Sequence, residues 1–142
     1  MILTQPKTKD EFQQYYNLRW RILRKPWNQP EGSEQDKDDD SCYHVMAVIN
    51  DKVAGIARLE FPDNTTSQLR YMAVDDEFQR EGIGRKIVEH MEQHSKDNNA
   101  HKIILNAREN AVCFYERLGY KITEKSYLLF DSIQHYKMLK IL

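Results

Sequence analysis

Apolar positions along the chain change their spacing several times, and each change marks a candidate element. Thr8 followed by Glu11 forms a capping-box pattern, after which Phe12, Tyr15, Tyr16, Arg19, Ile22 and Leu23 recur at three- and four-residue intervals. This spacing predicts a helix from Lys9 to Arg24, ended by Pro26 and Pro30. Tyr43 to Asn50 and Val53 to Phe61 are rich in valine and aromatic or other extended-type residues, with Asn50-Asp51 between them, so a hairpin is expected. Pro62-Asp63-Asn64 should break its second strand, and Gln68 to Val74 alternates in size and polarity as a further strand. From Arg85 to Asp97 the positions Ile87, Val88 and Met91 mark one face of a helix closed by Asn98-Asn99. Lys102 to Ala107 reads as a buried parallel strand, and Asn110 to Leu118 as a helix with Gly119 at its C′ position. Tyr120 to Thr123 and His135 to Ile141 complete the pattern as strands. The order strand-helix, strand meander, strand-helix-strand predicts a mixed α/β fold around a mostly antiparallel sheet flanked by helices.

Length and charge narrow the picture. A chain of 142 residues is expected to form one domain over residues 1–142. Lysine and arginine total 21 against 22 aspartates and glutamates, with no basic block on a predicted helix, so nucleic acid is not an expected partner. The longest apolar runs, such as Val45 to Ile49, are far shorter than the roughly 20 residues of a membrane-spanning helix. Met1 to Lys7 shows no apolar stretch after a basic start, which makes a cytoplasmic protein the expectation. Cys42 and Cys113 lie without metal-type spacing and read as free thiols. His90 and His94 stand at helical spacing, but Met91 takes the place of the glutamate in HEXXH, so no metal is expected. The stretch Glu31 to Asp40 carries six acidic residues and one lysine, and reads as a solvated loop able to attract a cationic amine.

The chemistry concentrates after the strand ending at Val74. Asp75-Asp76-Glu77-Phe78 leads into Gln79-Arg80-Glu81-Gly82-Ile83-Gly84 and then into the Arg85 helix. Glycines at 82 and 84 allow a tight turn and close backbone approach, while the first helical amides have no intrahelical acceptors. Those amides, the positive end of the helix dipole, and Arg80, Arg85 and Lys86 suit a diphosphate. The loop lacks the Gly-Lys-Ser/Thr of a nucleoside triphosphatase and the third glycine of a dinucleotide fingerprint, which weakens both nucleotide readings.

The order of Gln79, Gly82 and Gly84 after a strand resembles the Gln/Arg-X-X-Gly-X-Gly/Ala signature of the GCN5-related N-acetyltransferase (GNAT) superfamily. Ala111-Val-Cys-Phe-Tyr-Glu-Arg-Leu-Gly-Tyr120 is similar to a second element of that family, a helix with a Phe-Tyr pair and a terminal glycine before an aromatic. Arg21-Ile-Leu-Arg-Lys-Pro, Arg70-Tyr-Met-Ala-Val and Asn106-Ala-Arg-Glu-Asn-Ala resemble a subgroup of small bacterial acetyltransferases. The resemblance implies acetyl-CoA as cosubstrate, a primary amine of a small molecule or peptide as acceptor, and no metal. It further implies that the backbone of Met72, Ala73 and Val74 holds the pantetheine arm, that Gln79, Arg80, Glu81, Gly82, Ile83, Gly84 and Arg85 wrap the pyrophosphate, and that Asn106 meets the pantetheine or acetyl end. Tyr115 matches the family tyrosine that protonates the departing thiolate, and ordinary core packing beside Phe114 is the competing role.

A phenol suits that role, because its pKa of about 10 lies above a thiol's value near 8.5. Two family positions differ here: Arg108 stands where asparagine is common, with Asn106 or Asn110 as substitutes, and Gln68 stands where many relatives carry a glutamate base. Glu60, His44 and His135 are the remaining candidates for the base, each with a structural role as its alternative. Direct attack of the amine on the thioester needs no covalent enzyme intermediate, and Cys113 has no histidine near it in sequence to act as one. A CoA-binding sensor that has lost the chemistry is the alternative reading, and a homodimer through exposed strands is left open.

Overall fold

The computed structural model describes residues Met1–Leu142. Seven strands form one sheet in the order β1-β2-β3-β4-β5-β7-β6, where β1 is Ile2–Thr4, β2 Tyr43–Ile49, β3 Lys52–Asp63, β4 Thr66–Val74, β5 Lys102–Arg108, β6 Lys121–Leu129 and β7 Ile133–Ile141. The helices are α1 (Lys9–Leu23), α2 (Ile83–Asp97) and α3 (Val112–Arg117). β4 and β5 pair in parallel, as expected for strands joined through a helix, and β1–β2, β2–β3, β5–β7 and β6–β7 are antiparallel. The mixed, mostly antiparallel sheet matches the sequence expectation.

The chain comprises two compact units, one of Met1–Glu60 with Tyr71–His90 and one of Phe61–Arg70 with Met91–Leu142. In the first, α1 starts at a complete capping box: Thr8 Oγ1 accepts from Glu11 N–H, and Glu11 Oε1 accepts from Thr8 N–H. Its inward face places Tyr15, Leu18 and Leu23 in a core with Met46, Ile56 and Ala73. The β2–β3 turn places Asn50 and Asp51 at φ values of 49° and 63°, the left-handed pair that a tight hairpin requires. Gly55 on β3 is dictated by packing. A Cβ there would lie 2.8 Å from Ile87 Cδ1 and 2.9 Å from Ile83 Cγ2, so its absence lets the start of α2 sit close on the strand.

In the second unit β4 and β5 pair only from Thr66↔Lys102 to Leu69↔Leu105, although β4 continues to Val74 and β5 to Arg108. The α3 helix ends in a Schellman motif, with Gly119 at φ 98° and the amides of Gly119 and Tyr120 donating to Glu116 O and Tyr115 O.

Four boundaries depart from the sequence pattern. Pro62 does not break β3, which runs to Asp63; the β2 ladder begins at Tyr43↔Leu59, so the missing N–H costs no bond to β2. The α2 helix starts at Ile83, which puts Gly84 inside its first turn. β6 extends to Leu129 through a hairpin whose turn residues, Phe130 and Asp131, hold φ values of 52° and 54° without the usual Asn-Gly signal. The acidic stretch is folded inward, with Glu34 and Asp39 buried, because buried arginines draw it against the sheet.

Candidate active site

The turn after β4 is built by short-range bonds. Asp75 N–H donates to Ala54 O at 2.8 Å, its Oδ1 accepts from Glu77 N–H at 3.0 Å, and its Oδ2 pairs with Arg21 Nη2 at 3.0 Å. Gln79 Nε2 donates to Asp76 Oδ1 at 3.0 Å and Val74 O at 3.4 Å, so the signature glutamine closes the base of the turn. Arg80 and Gly82 hold φ values of 67° and 79°, and residues 79–82 are exposed. The helix that follows is anchored by buried Ile83, Ile87, Val88 and Met91. Its first helical bond is Lys86 N–H to Gly82 O at 3.1 Å, so the amides of Ile83, Gly84 and Arg85 precede the hydrogen-bond ladder at the positive end of the dipole. A Cβ at Gly82 would meet nothing within 4 Å, so the turn is open at that position. Arg85 pairs with Glu89 at 2.8 Å on the helix surface. An open turn at a helix start is an arrangement suited to a pyrophosphate.

Upstream, Met72 and Val74 are half-buried and Ala73 is buried, while Tyr71 has a left-handed backbone at φ 53°. In the second unit Asn106 Oδ1 accepts from Ser126 Oγ at 2.9 Å, which fixes its carboxamide. Tyr115 is 8% exposed and packs edge-on against Phe114 at 5.0 Å and Tyr120 at 5.7 Å between ring centroids. Burial pushes its phenol pKa well above the ordinary value, so the proton is retained at neutral pH. Tyr120 in turn donates to Glu92 at 2.8 Å, and Glu92 pairs with Lys140 at 3.0 Å.

The sequence profile of the acetyltransferase (GNAT) family matches residues 12–120. The chain belongs to this family. YjcF, an uncharacterised N-acetyltransferase of Bacillus subtilis, is 26% identical over 134 residues, covering 94% of this chain and 95% of YjcF. A Lactobacillus plantarum structure assigned as an N-acetyltransferase superposes with a TM-score of 0.86 at 20% identity, covering 99% of this chain and 97% of that one. An aminoglycoside 6′-N-acetyltransferase complexed with coenzyme A has a TM-score of 0.82 at 18% identity, with 99% and 97% covered. At such identities these two structures establish the fold alone. As a GNAT enzyme the chain is an acetyl-CoA-dependent acyltransferase.

The three candidate bases of this GNAT chain sit in different surroundings. His44 is 6% exposed; its Nε2 donates to Asp39 O at 2.6 Å and its Nδ1 lies 2.7 Å from Tyr15 Oη. Burial lowers its pKa, and both ring nitrogens are taken by core contacts. His135 is buried, its Nδ1 donates to Ile133 O at 3.0 Å, and its ring stacks on Tyr127 at 4.3 Å. Glu60 is the more accessible, with its side chain 23% exposed and Oε1 3.2 Å from Arg58 Nη2.

The acidic segment proved more ordered than its composition implies. Asp39 bonds both Arg19 Nη1 and Arg58 Nη1, at 3.0 and 2.9 Å, and Asp36 bonds Arg58 Nη1 at 2.6 Å. The side chains of Arg19 and Arg58 are fully buried, so two of the six acidic residues neutralise internal cations instead of facing a substrate. Arg19 stands out in the sequence only as a periodic position of the first helix, and Arg58 and Gly55 not at all; Arg19 and Arg58 occupy core-facing positions of α1 and β3, where a charge signals a buried ion pair. No group of three or more His, Cys, Asp or Glu side chains is placed to hold a metal, and no helix is long and apolar enough to cross a membrane.

Proposed function

We propose that this GNAT enzyme transfers acetyl to the primary amine of a small molecule or peptide by direct attack, with Tyr115 as general acid. The observation that carries the donor side is the exposed left-handed turn at Arg80 and Gly82 opening onto the amides of Ile83, Gly84 and Arg85. These groups would grip the pyrophosphate, with the backbone of Met72–Val74 along the pantetheine arm and Asn106 at its acyl end. The coenzyme A complex of the aminoglycoside acetyltransferase supports both this donor and an amine acceptor.

In the transfer the amine nitrogen forms a bond to the acetyl carbon, the carbon–sulfur bond breaks, and the thiolate takes the Tyr115 proton. Burial that keeps Tyr115 protonated also raises the proton affinity of a thiolate leaving beside it, so the two requirements match. The neutral amine loses one N–H proton as the amide forms, to Glu60 directly or through water, and exchange with solvent returns a proton to the Tyr115 phenolate; the two histidines are less suited as acceptors, being held in core contacts. A screen of amines and peptides that follows free thiol tests this reading. Tyr115→Phe is expected to lose about tenfold or more in turnover with acetyl-CoA affinity kept, the size of a general-acid contribution at its low end. Unchanged turnover removes Tyr115 from the mechanism.

A further inference from the structure

We propose that Asp36, Arg58 and Tyr71 form a positioning clamp for acetyl transfer, in which the acidic segment holds the left-handed backbone of Tyr71 and so aims the peptide groups of Met72–Val74. This rests on the reading of Met72–Val74 as the stretch that holds the donor's arm.

Eight non-glycine residues have positive φ, and seven of them, Asn28, Asn50, Asp51, Arg80, Asn99, Phe130 and Asp131, lie in turns or just past helix ends. Tyr71 is the one inside a strand. No turn geometry calls for that conformation, and a bulky side chain disfavours it, so surrounding contacts must impose it. Those contacts are on its ring and phenol. Tyr71 Oη donates to Asp36 Oδ2 at 3.1 Å, and the guanidinium carbons of Arg19 and Arg58 lie 4.3 and 4.8 Å from its ring centroid.

Asp36 is itself fixed. Its Oδ1 accepts from Arg58 Nη1 at 2.6 Å and from Asp38 N–H at 2.9 Å. Arg58 is set by its register opposite His44 on β2 and is shared with Asp39 and Glu60. A rigid path thus runs from β3 through Arg58 and Asp36 to Tyr71, all within the first unit. Tyr71 is bound through its side chain to the acidic segment, so its effect on the donor passes through the backbone that follows it. It is a positioning residue, and Asp36 acts through it.

Tyr71→Phe removes the phenol bond and keeps the ring; Asp36→Asn removes the charge and keeps the shape. In both, turnover with acetyl-CoA and an accepted amine should fall roughly fivefold to tenfold, the value of one ordinary intramolecular hydrogen bond. Acetyl-CoA affinity by calorimetry should fall by less than turnover, because the turn at 79–85 is untouched and only the arm's contacts at Met72–Val74 loosen, and the double variant should match the worse single within about twofold, as expected for members of one unit. Amide hydrogen exchange in the free protein should quicken at Met72–Val74 but not in β2. If Asp36→Asn unfolds the chain, Tyr71→Phe decides alone. Exchange at Met72–Val74 equal to that of the unaltered protein overturns the clamp, as does a loss of turnover that only tracks the unfolded fraction. Failure of the unaltered protein to bind acetyl-CoA would instead bring down the donor-site reading, and the exchange measurement would still judge the clamp.

Discussion

The turn at Gln79–Arg85 and the segment Glu31–Asp40 look alike as sequence: each is polar, charged, glycine-containing and placed between regular elements. They fold for different reasons. The turn is held by bonds over three to five residues, Gln79 to Asp76 and Val74, and by the conformational freedom of Gly82. The acidic segment is held by Arg19 and Arg58, each about twenty positions away along the chain. Residues 79–82 of the first are exposed, whereas the second buries Glu34 and Asp39. Local hydrogen bonding can therefore leave a polar turn exposed as its composition suggests, while long-range ion pairing can convert an apparently solvated stretch into part of the core.

The contrast can be broken first at Arg58. Arg58→Ala would leave Asp36 and Asp39 without their shared cation, and losing one partner of a buried network costs about 3–5 kcal/mol. Urea denaturation should show a large drop in midpoint, a substantial share of the stability margin of a small domain. A midpoint near that of the unaltered protein would mean that the segment is not held as described.

Acid should act on the same segment. Burial by itself would raise the Asp36 pKa, but the bonds from Arg58, Asp38 N–H and Tyr71 outweigh it and hold the group at about 2, below its ordinary 3.8; Asp39 is lowered as well. A carboxylate depressed in the folded state stabilises above its unfolded pKa and loses that contribution as pH falls through the folded value. Thermal stability should therefore decline between about pH 4 and 2, by on the order of 2 kcal/mol from Asp36. Arg58→Ala should flatten that slope.

Gly82→Ala tests the turn. The added methyl would meet no neighbour, so the expected cost comes from the left-handed backbone alone, roughly 1 kcal/mol, with weaker acetyl-CoA binding by calorimetry. Arg85→Ala is the smallest change, because its exposed pair with Glu89 should contribute no more than about 0.5 kcal/mol to stability. A stability loss for Arg85→Ala as large as that for Arg58→Ala would erase the distinction between the two regions.

Much of the fold was legible because its signals are short. Thr8 with Glu11 marked the start of α1, Asn50-Asp51 marked the first hairpin, and Gly119 marked the end of α3, each through bonds spanning a few residues. Pro62 misled because a proline's cost depends on whether a neighbouring strand needs its N–H, and at that end of β3 the β2 ladder has already stopped. Phe130-Asp131 carried no turn signal, since the flanking β6–β7 pairing imposes the left-handed pair on residues that do not favour it. Of the site, the glycine turn and the buried Tyr115 stood out in the chain; the environment of His44 did not, because Tyr15 and Asp39 reach it from α1 and from the acidic segment.

Residue order by itself determined the succession of helices and strands, the strand-turn-helix passage through Gly82 and the membership in an acetyltransferase family, because periodicity, caps and glycine turns depend on neighbours a few positions apart. Tertiary packing alone decided which carboxylates meet Arg19 and Arg58, why Ile83 and Ile87 sit where a side chain at Gly55 would lie, and how Tyr71 is held left-handed inside a strand. Desolvation and ion pairing depend on which distant groups are brought together, and only the folded chain brings them together.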